Sequence, residues 1–357
     1  MKSICIFIII FATYFISESL NLNASEEINS EDFTPVTGWE MMERFGMGIT
    51  FADTTEARVW PWETRNVENH EDAWRQPRLR RWHFESAAAR GFDSYRMCVS
   101  WTPRMDENHQ IDPAFMDRIQ EITDWALDAG FYVIMNTHHE EELYWLIRDN
   151  EFEAAEAHLN AIWTQVSERF ANYSERVIFE ILNEPNLKEF YHGDGPWISH
   201  THRGVDRQLA ETVNRLNDSA LEVIRNSGGN NDRRVVVLGI PGGSPEAIPT
   251  LRIPDDPYVM VGVFGYYGTN ITDETLRYMQ NLINAGVGVF NKEDNTAFDI
   301  AAHPTFDALT HTQRHYARLA EMGVPSFWFA GCLSLYDFPE ERFFNRVTGE
   351  WNESTIM

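Results

Sequence analysis

IFEILNEPN, residues 178 to 186, closes an apolar run that begins at Val177, and within one strand length it sets Asn183 beside Glu184 ahead of Pro185. A short apolar run of this kind fits a strand buried on both faces. The amide and carboxylate at its end mark the point where that strand leaves the core and opens onto something polar.

Similar segments recur along the chain. They fall at Gly46–Phe51, Ser94–Ser100, Tyr132–Asn136, Val177–Leu182, Val235–Ile240, Val259–Phe264, Val287–Phe290 and Ser326–Phe329. Helical patterns separate them. Asp112 and Pro113 supply an N-cap and a first-turn proline, Phe115, Ile119, Ile122 and Ala126 share a face, and Gly130 ends the helix. A second helix carries Leu209, Val213, Leu216, Ala220 and Ile224 on one stripe and stops at Gly228-Gly229. Strands alternating with helices imply a parallel sheet, and eight of them favour an α/β fold of the closed (β/α)8 TIM barrel type over an open doubly wound sheet. GMGITFAD, at the first strand, lacks the glycine spacing of a dinucleotide loop and opens no helix.

At 357 residues the chain lies within the range of one barrel with insertions. Ile4 to Ile16 is almost wholly apolar and is followed by Ser17-Glu18-Ser19, so residues 1–19 read as a secretory signal peptide. Residues 20–34 form an acidic leader, and 35–357 the barrel. A secreted, extracellular protein is expected. Asn-x-Ser/Thr sequons at Asn23, Asn172, Asn217, Asn270 and Asn352 fit export from a eukaryotic source. Cys98 and Cys332, left after the signal, make neither a disulfide framework nor a zinc spacing; they pair or stay buried and reduced. A net charge of −26 repels nucleic acid and anionic membranes and leaves a neutral or cationic partner. No cofactor is called for, and a monomer is the expectation.

In a barrel, chemistry belongs at the C-terminal strand ends. The polar residues there are Arg96 and Trp101 after the second strand, Asn136 to Glu140 after the third, Asn183-Glu184 after the fourth, Tyr266-Tyr267 after the sixth, Lys292-Glu293-Asp294 after the seventh and Trp328 in the eighth. Glu184 and Glu293 can face each other across the mouth. Two such carboxylates are the apparatus of glycoside hydrolysis, one protonating the leaving oxygen and the other attacking the sugar or activating water. A strand-end glutamate by itself is more often a salt-bridge partner, but the company here points to chemistry. Asn183 is placed to bind a hydroxyl, Arg96 to keep a nucleophile ionised and Tyr267 to donate to it. His138 and His139 invite a metal reading. Neighbours on an extended strand point to opposite faces, so no metal site is expected, and His138 is better read as a sugar or carboxylate contact.

From about Gly46 to Trp351 the sequence resembles glycoside hydrolase family 5, the cellulase family. IFEILNEPN matches the strand-four signature whose glutamate after asparagine is the acid/base, which implies Glu184. SYRMCVSW places the family arginine at Arg96, YVIMNTHHE places its histidine at His138, and FWFAG places its strand-eight tryptophan at Trp328; FFNRVTGEW resembles the stretch that follows. Glu293 aligns with the nucleophile. Its surroundings depart from the family: Lys292 replaces a small residue, Asp294 an aromatic and Asn295 a glycine, and Gly265 stands for a histidine before Tyr266-Tyr267. Thr50, Ala52 and Asp53 occupy the usual asparagine and Gly-Asn positions. The chain stops soon after Trp351, where the family continues into an eighth helix, so that helix is expected to fall short.

The resemblance implies a secreted endo-β-1,4-glucanase acting on β-linked glucan polysaccharide or oligosaccharide. Its mechanism would be retaining, with carboxyls about 5–5.5 Å apart and activity on the acid to neutral side. Related β-mannanases and xyloglucanases are alternatives. Trp60, Trp62, Trp101, Trp145, Trp197 and Trp328 are candidate sugar platforms, Trp101 and Trp328 the best placed. The loops Arg58–Glu71 and Leu187–Arg203 are the candidate cleft walls. A rival reading is a barrel that keeps the cleft, has lost catalysis and binds carbohydrate or another partner. Alternation of adjacent side chains directs Lys292 away from a cleft-facing Glu293, where it does no harm. A metal hydrolase built on His138 is a third reading, open to test by chelation.

Overall fold

Each of the eight apolar segments forms a strand: β1 Gly48–Phe51, β2 Ser94–Met97, β3 Tyr132–Asn136, β4 Val177–Glu180, β5 Val236–Leu238, β6 Val259–Phe264, β7 Gly288–Asp294 and β8 Ser326–Ala330. They pair in chain order, all parallel, and β8 returns to β1 to close the barrel. The computed structural model describes residues 33–59, 70–74, 76, 78–185, 207–264, 273–294 and 316–330, and the backbone of 334–337, 342–345 and 350–353. The signal peptide, most of both candidate cleft loops, Trp60, Trp62, Trp197, Tyr267 and Cys332 lie outside them. Among the described residues no helix is long and apolar enough to cross a membrane.

Seven helices lie wholly within the described residues, α1 Gly38–Arg44, α2 Arg81–Ala88, α3 Pro113–Asp128, α4 Glu141–Arg148, α5 Phe152–Arg169, α6 Arg207–Asn226 and α7 Asp273–Asn284, and residues 316–321 ahead of β8 are helical as well. Their boundaries follow local chemistry. The Asp112 carboxylate accepts from the Ala114 N–H at 2.9 Å, Pro113 opens α3, and Gly130 leaves it with φ of 97°. On α6 the apolar stripe Leu209, Val213, Leu216, Ala220 and Ile224 is buried. Asn217 is buried there too, its side chain bonded both ways to the Gly239 backbone, so this sequon is closed to glycosylation in the folded chain. Between β5 and β6 the described connection holds only the short 3₁₀ turns Pro241–Gly243 and Pro245–Thr250. After β8 the described residues form an antiparallel sheet of β9 Ser334–Asp337, β10 Arg342–Asn345 and β11 Glu350–Glu353, where the barrel pattern would place an eighth helix.

Strand alternation sorts side chains between two cores. On β4, Val177 and Phe179 face the helices, while Ile178 joins the other cluster and Glu180 shares its face two residues on. On β2, Tyr95 and Met97 pack outward, which leaves Ser94 and Arg96 inside. The N-terminal floor is closed by α1. Its capping box pairs Thr37 with Glu40, and the next residue, Phe45, meets Tyr132, Phe290 and Phe327 edge-on with centroids 6.3, 5.6 and 5.6 Å away. Gly288 permits this approach, since a Cβ there would lie 2.1 Å from the Gly38 carbonyl oxygen.

Phe45 is wholly buried at the face opposite the strand ends that carry Glu184 and Glu293. Phe45→Ala is expected to lower unfolding stability by about 3–5 kcal/mol in urea titrations, as for other large aromatic truncations.

Candidate active site

Arg96 on β2 is fully buried, and its guanidinium bonds to oxygens of three side chains. Nε and Nη2 donate to the two Glu180 oxygens at 2.6 and 2.8 Å, Nη1 donates to Glu293 Oε1 at 2.6 Å, and Nη2 also reaches Asn183 Oδ1 at 2.7 Å. The fork geometry of arginine suits such bidentate contacts, and charge-assisted bonds of this length are the strong ones. Glu180 sits below the cleft in β4, and its carboxyl is lowered; burial alone would raise it, but Arg96, then Lys292, outweighs that cost.

Beyond Glu180 the chain stays tied to its neighbours. The Ile181 N–H donates to the Val237 carbonyl at 2.9 Å and the Asn183 N–H to the Thr137 carbonyl at 3.0 Å, which fixes the backbone from which Glu184 projects. Glu184 is partly exposed. Its carboxyl is pushed up to about 8, first by desolvation and next by the charge of Glu293. The two carboxyls are therefore close enough to influence each other. Burial also raises Glu293, against the pull of Arg96 and Lys292; the guanidinium bond favours its charged form.

The structure corrects the sequence reading at Lys292. In β7, Asn291 stands opposite Val263 and Glu293 opposite Phe264, so Lys292 is an extra residue on the β6 side. On the β8 side Asn291 and Asp294 face Ser326 and Trp328, again one residue more on β7. This bulge breaks the alternation that would have turned Lys292 outward. Its ammonium lies inside, donating to Glu180 Oε1 at 3.2 Å and to the Asn183 carbonyl at 2.5 Å, over the Phe264 ring at 4.4 Å.

His138 is buried, and burial holds it neutral, well below the ordinary histidine range; His139, Arg96 and Lys292 add to that. Asn136 Oδ1 accepts from the Val99 N–H, so it is the Asn136 amide NH2 that faces His138 Nδ1, at 3.2 Å. Nε2 faces Asn183, 3.5 Å away. His139 packs edge-on against Trp74 at 5.3 Å, and its backbone carbonyl accepts from Arg58. Cys98, His138 and Glu293 bring potential ligand atoms within 4.8 Å of one another. Arg96 Nη1 touches two of these residues, Glu293 at 2.6 Å and Cys98 Sγ at 3.6 Å, and burial pushes the Cys98 thiol well up. A guanidinium thus already fills the position a cation would take.

Trp101 is corrected as a sugar platform. It is fully buried, its indole N–H donates to the Asn136 carbonyl at 2.9 Å, and its ring meets Phe115. Trp328 is partly exposed beside the cleft strands, and Trp145 is half-buried on α4. Thr50, Ala52 and Asp53 are buried, and Asp53 takes a φ of 65° with its N–H bonded to Glu56, so this segment is a packed turn.

Sequence reasoning passed over Glu180 and the inward Lys292. For Glu180 the signal was available: a carboxylate two residues from Ile178 in an apolar strand must be buried and must have a partner.

The family model described as cellulase (glycosyl hydrolase family 5) matches residues 52–325. Endoglucanase B of Ruminococcus albus is 31% identical over 245 residues, covering 67% of this chain and 56% of that protein. Endoglucanase A of the same organism is 30% identical over 253 residues, 70% and 64% of the two chains. The chain thus spans less than two thirds of the length of either. A GH5-4 broad specificity endoglucanase from Ruminococcus champanellensis, solved with bound cellotriose, superposes with a TM-score of 0.73 at 23% identity, covering 90% of this chain and 97% of that one. At that identity the likeness is one of fold.

Because Glu184 titrates near 8 in the fold and at about 4.5 in the ordinary state, the fold binds its proton more tightly. The stability this contributes is full below 4.5 and lost as pH rises through about 8. Thermal unfolding should show Glu184→Gln gaining on the wild type across that window and matching it most closely at the acid end.

Proposed function

The chain belongs to the cellulase family, glycosyl hydrolase family 5, and we propose that it is a retaining endo-β-1,4-glucanase with Glu293 as nucleophile and Glu184 as acid/base. The observation that carries this reading is the Arg96 clamp: one of the two cleft carboxylates is bonded to a guanidinium, and the other is pushed up to about 8. Paired carboxyls whose environments differ in this way take opposite roles.

In the first step the Glu293 carboxylate forms a bond to the anomeric carbon. The glycosidic bond breaks, and its oxygen takes the proton of Glu184. Esterification removes the negative charge of Glu293, so Glu184, now ionised, is left beside cations and becomes the base. Water then attacks the anomeric carbon, gives its proton to Glu184, and releases Glu293. Asn183 and His138 supply polar contacts for the sugar, and Trp328 an aromatic face. Endoglucanase names among the relatives support a β-1,4-glucan substrate, with β-mannan and xyloglucan as variants. The apolar N-terminal stretch supports secretion, and we place the protein outside the cell as a monomer.

Lys292, inside the cleft rather than outside it, favours a second reading: a barrel that retains carbohydrate binding without turnover. Its bonds go to Glu180 and the Asn183 carbonyl, which leaves Glu293 to Arg96. That arrangement is compatible with catalysis. Release of reducing ends from soluble β-1,4-glucan decides between the two. The wild type should release them, and Glu293→Gln should lose at least about 10³-fold in kcat. Binding without any release, by the wild type on β-glucan and β-mannan alike, would establish the second reading. On an aryl β-cellobioside whose leaving group needs no proton, Glu184→Gln should keep its glycosylation rate and accumulate the covalent intermediate.

A further inference from the structure

The bulge in β7 places a second buried cation between the two strands that carry the carboxylates. Lys292 is 1% exposed, and its stem runs past Gly262, where a Cβ would come within 3.2 Å of Lys292 Cδ. Glycine at that position of β6 leaves the path open. At the far end the ammonium has a carboxylate, a carbonyl and an aromatic face, a set that favours –NH₃⁺ against the burial that lowers its pKa.

We propose that Lys292 is a positioning residue for the reaction: it ties the backbone ahead of Glu184 to the nucleophile strand, and its charge balances Glu180 so that Arg96 is left to serve Glu293. This rests on the assignment of Glu184 and Glu293 above. The charged groups facing Lys292 are Arg96 from β2, Glu180 and Glu184 from β4 and its extension, and Glu293 on its own strand, with neutral His138 after β3. Glu184 is faced in addition by Glu141 and Tyr144 of α4. With Arg96 and Lys292 positive, Glu180 and Glu293 negative and Glu184 protonated, this set is neutral. Without Lys292 it carries a net negative charge, which opposes ionisation of both cleft carboxyls.

The sign follows directly. Both carboxyls bind protons more tightly when a neighbouring cation is removed, so both limbs of the pH profile move to higher pH. In Lys292→Met the acid and alkaline limbs of kcat/KM on soluble β-1,4-glucan should each rise by about one unit, the low end of what a nearby charge does. Lys292→Arg, which keeps the charge, should leave the limbs near their wild-type positions. Limbs unmoved in Lys292→Met, with only the rate reduced, would overturn the proposal and make Lys292 a space-filling residue. If circular dichroism shows Lys292→Met unfolded, Lys292→Gln, a neutral donor to the Asn183 carbonyl, is read in the same way: a rise supports the proposal and no movement defeats it. Glu184→Gln separates the two levels of inference. Full activity of that variant on glucan removes the acid/base assignment itself; its loss, together with unmoved limbs in the lysine variants, defeats the role of Lys292 alone.

Discussion

One guanidinium, wholly buried, is shared between a carboxylate that belongs to the barrel interior and one that faces the cleft. Ionised groups taken out of water cost several kcal/mol each, and a buried pair broken on one side costs about 3–5 kcal/mol because the remaining charge is stranded. Arg96 therefore cannot be satisfied by Glu180 or by Glu293 alone. Its five donors need acceptors from β4 and β7 together, on opposite parts of the ring. That need locks the register of three strands to the geometry of the site. Asn183, which also accepts from Arg96, extends the lock by one residue to the backbone of Glu184.

The same electrostatic economy explains why a lysine is tolerated at a position where the family places a small residue. In a regular strand Lys292 and Glu293 would point to opposite faces, because side chains alternate. The bulge breaks that alternation, so that Lys292 and Glu293 both turn inward. Gly262 supplies the space and Glu180 the counter-charge. Substitution of the small residue is thus compensated by backbone geometry on two neighbouring strands, and it changes the charge balance of the cleft without taking the guanidinium from Glu293.

The barrel was legible because its information is periodic and local. Apolar runs of strand length, an N-cap aspartate before Pro113 and a stripe from Leu209 to Ile224 each need only their near neighbours to be read. The carboxylates of the cleft were legible because a polar residue ending an apolar strand has nowhere else to go. Trp101 failed that reasoning: a tryptophan after a strand can turn back, and here the Asn136 carbonyl satisfies its indole while Phe115 covers its ring. Lys292 failed it for a different reason. A bulge is an agreement between strands about register, and one strand's sequence does not contain its neighbours' pairing.

Glu180 lies between these cases and shows what a strict reading of burial would have recovered. Its period with Ile178 points it into the barrel, where no water serves it. A partner of opposite charge is then obligatory, and Arg96, on the inner face of β2 beside Ser94, is placed by the same alternation. The pair follows from alternation and desolvation alone, before any catalytic role is considered. Once it is in place, the guanidinium still has an edge directed toward the cleft, and it favours the ionised form of whichever carboxylate stands there. In this chain that position belongs to Glu293, so the chemistry of the site is a consequence of how the barrel neutralises its own interior.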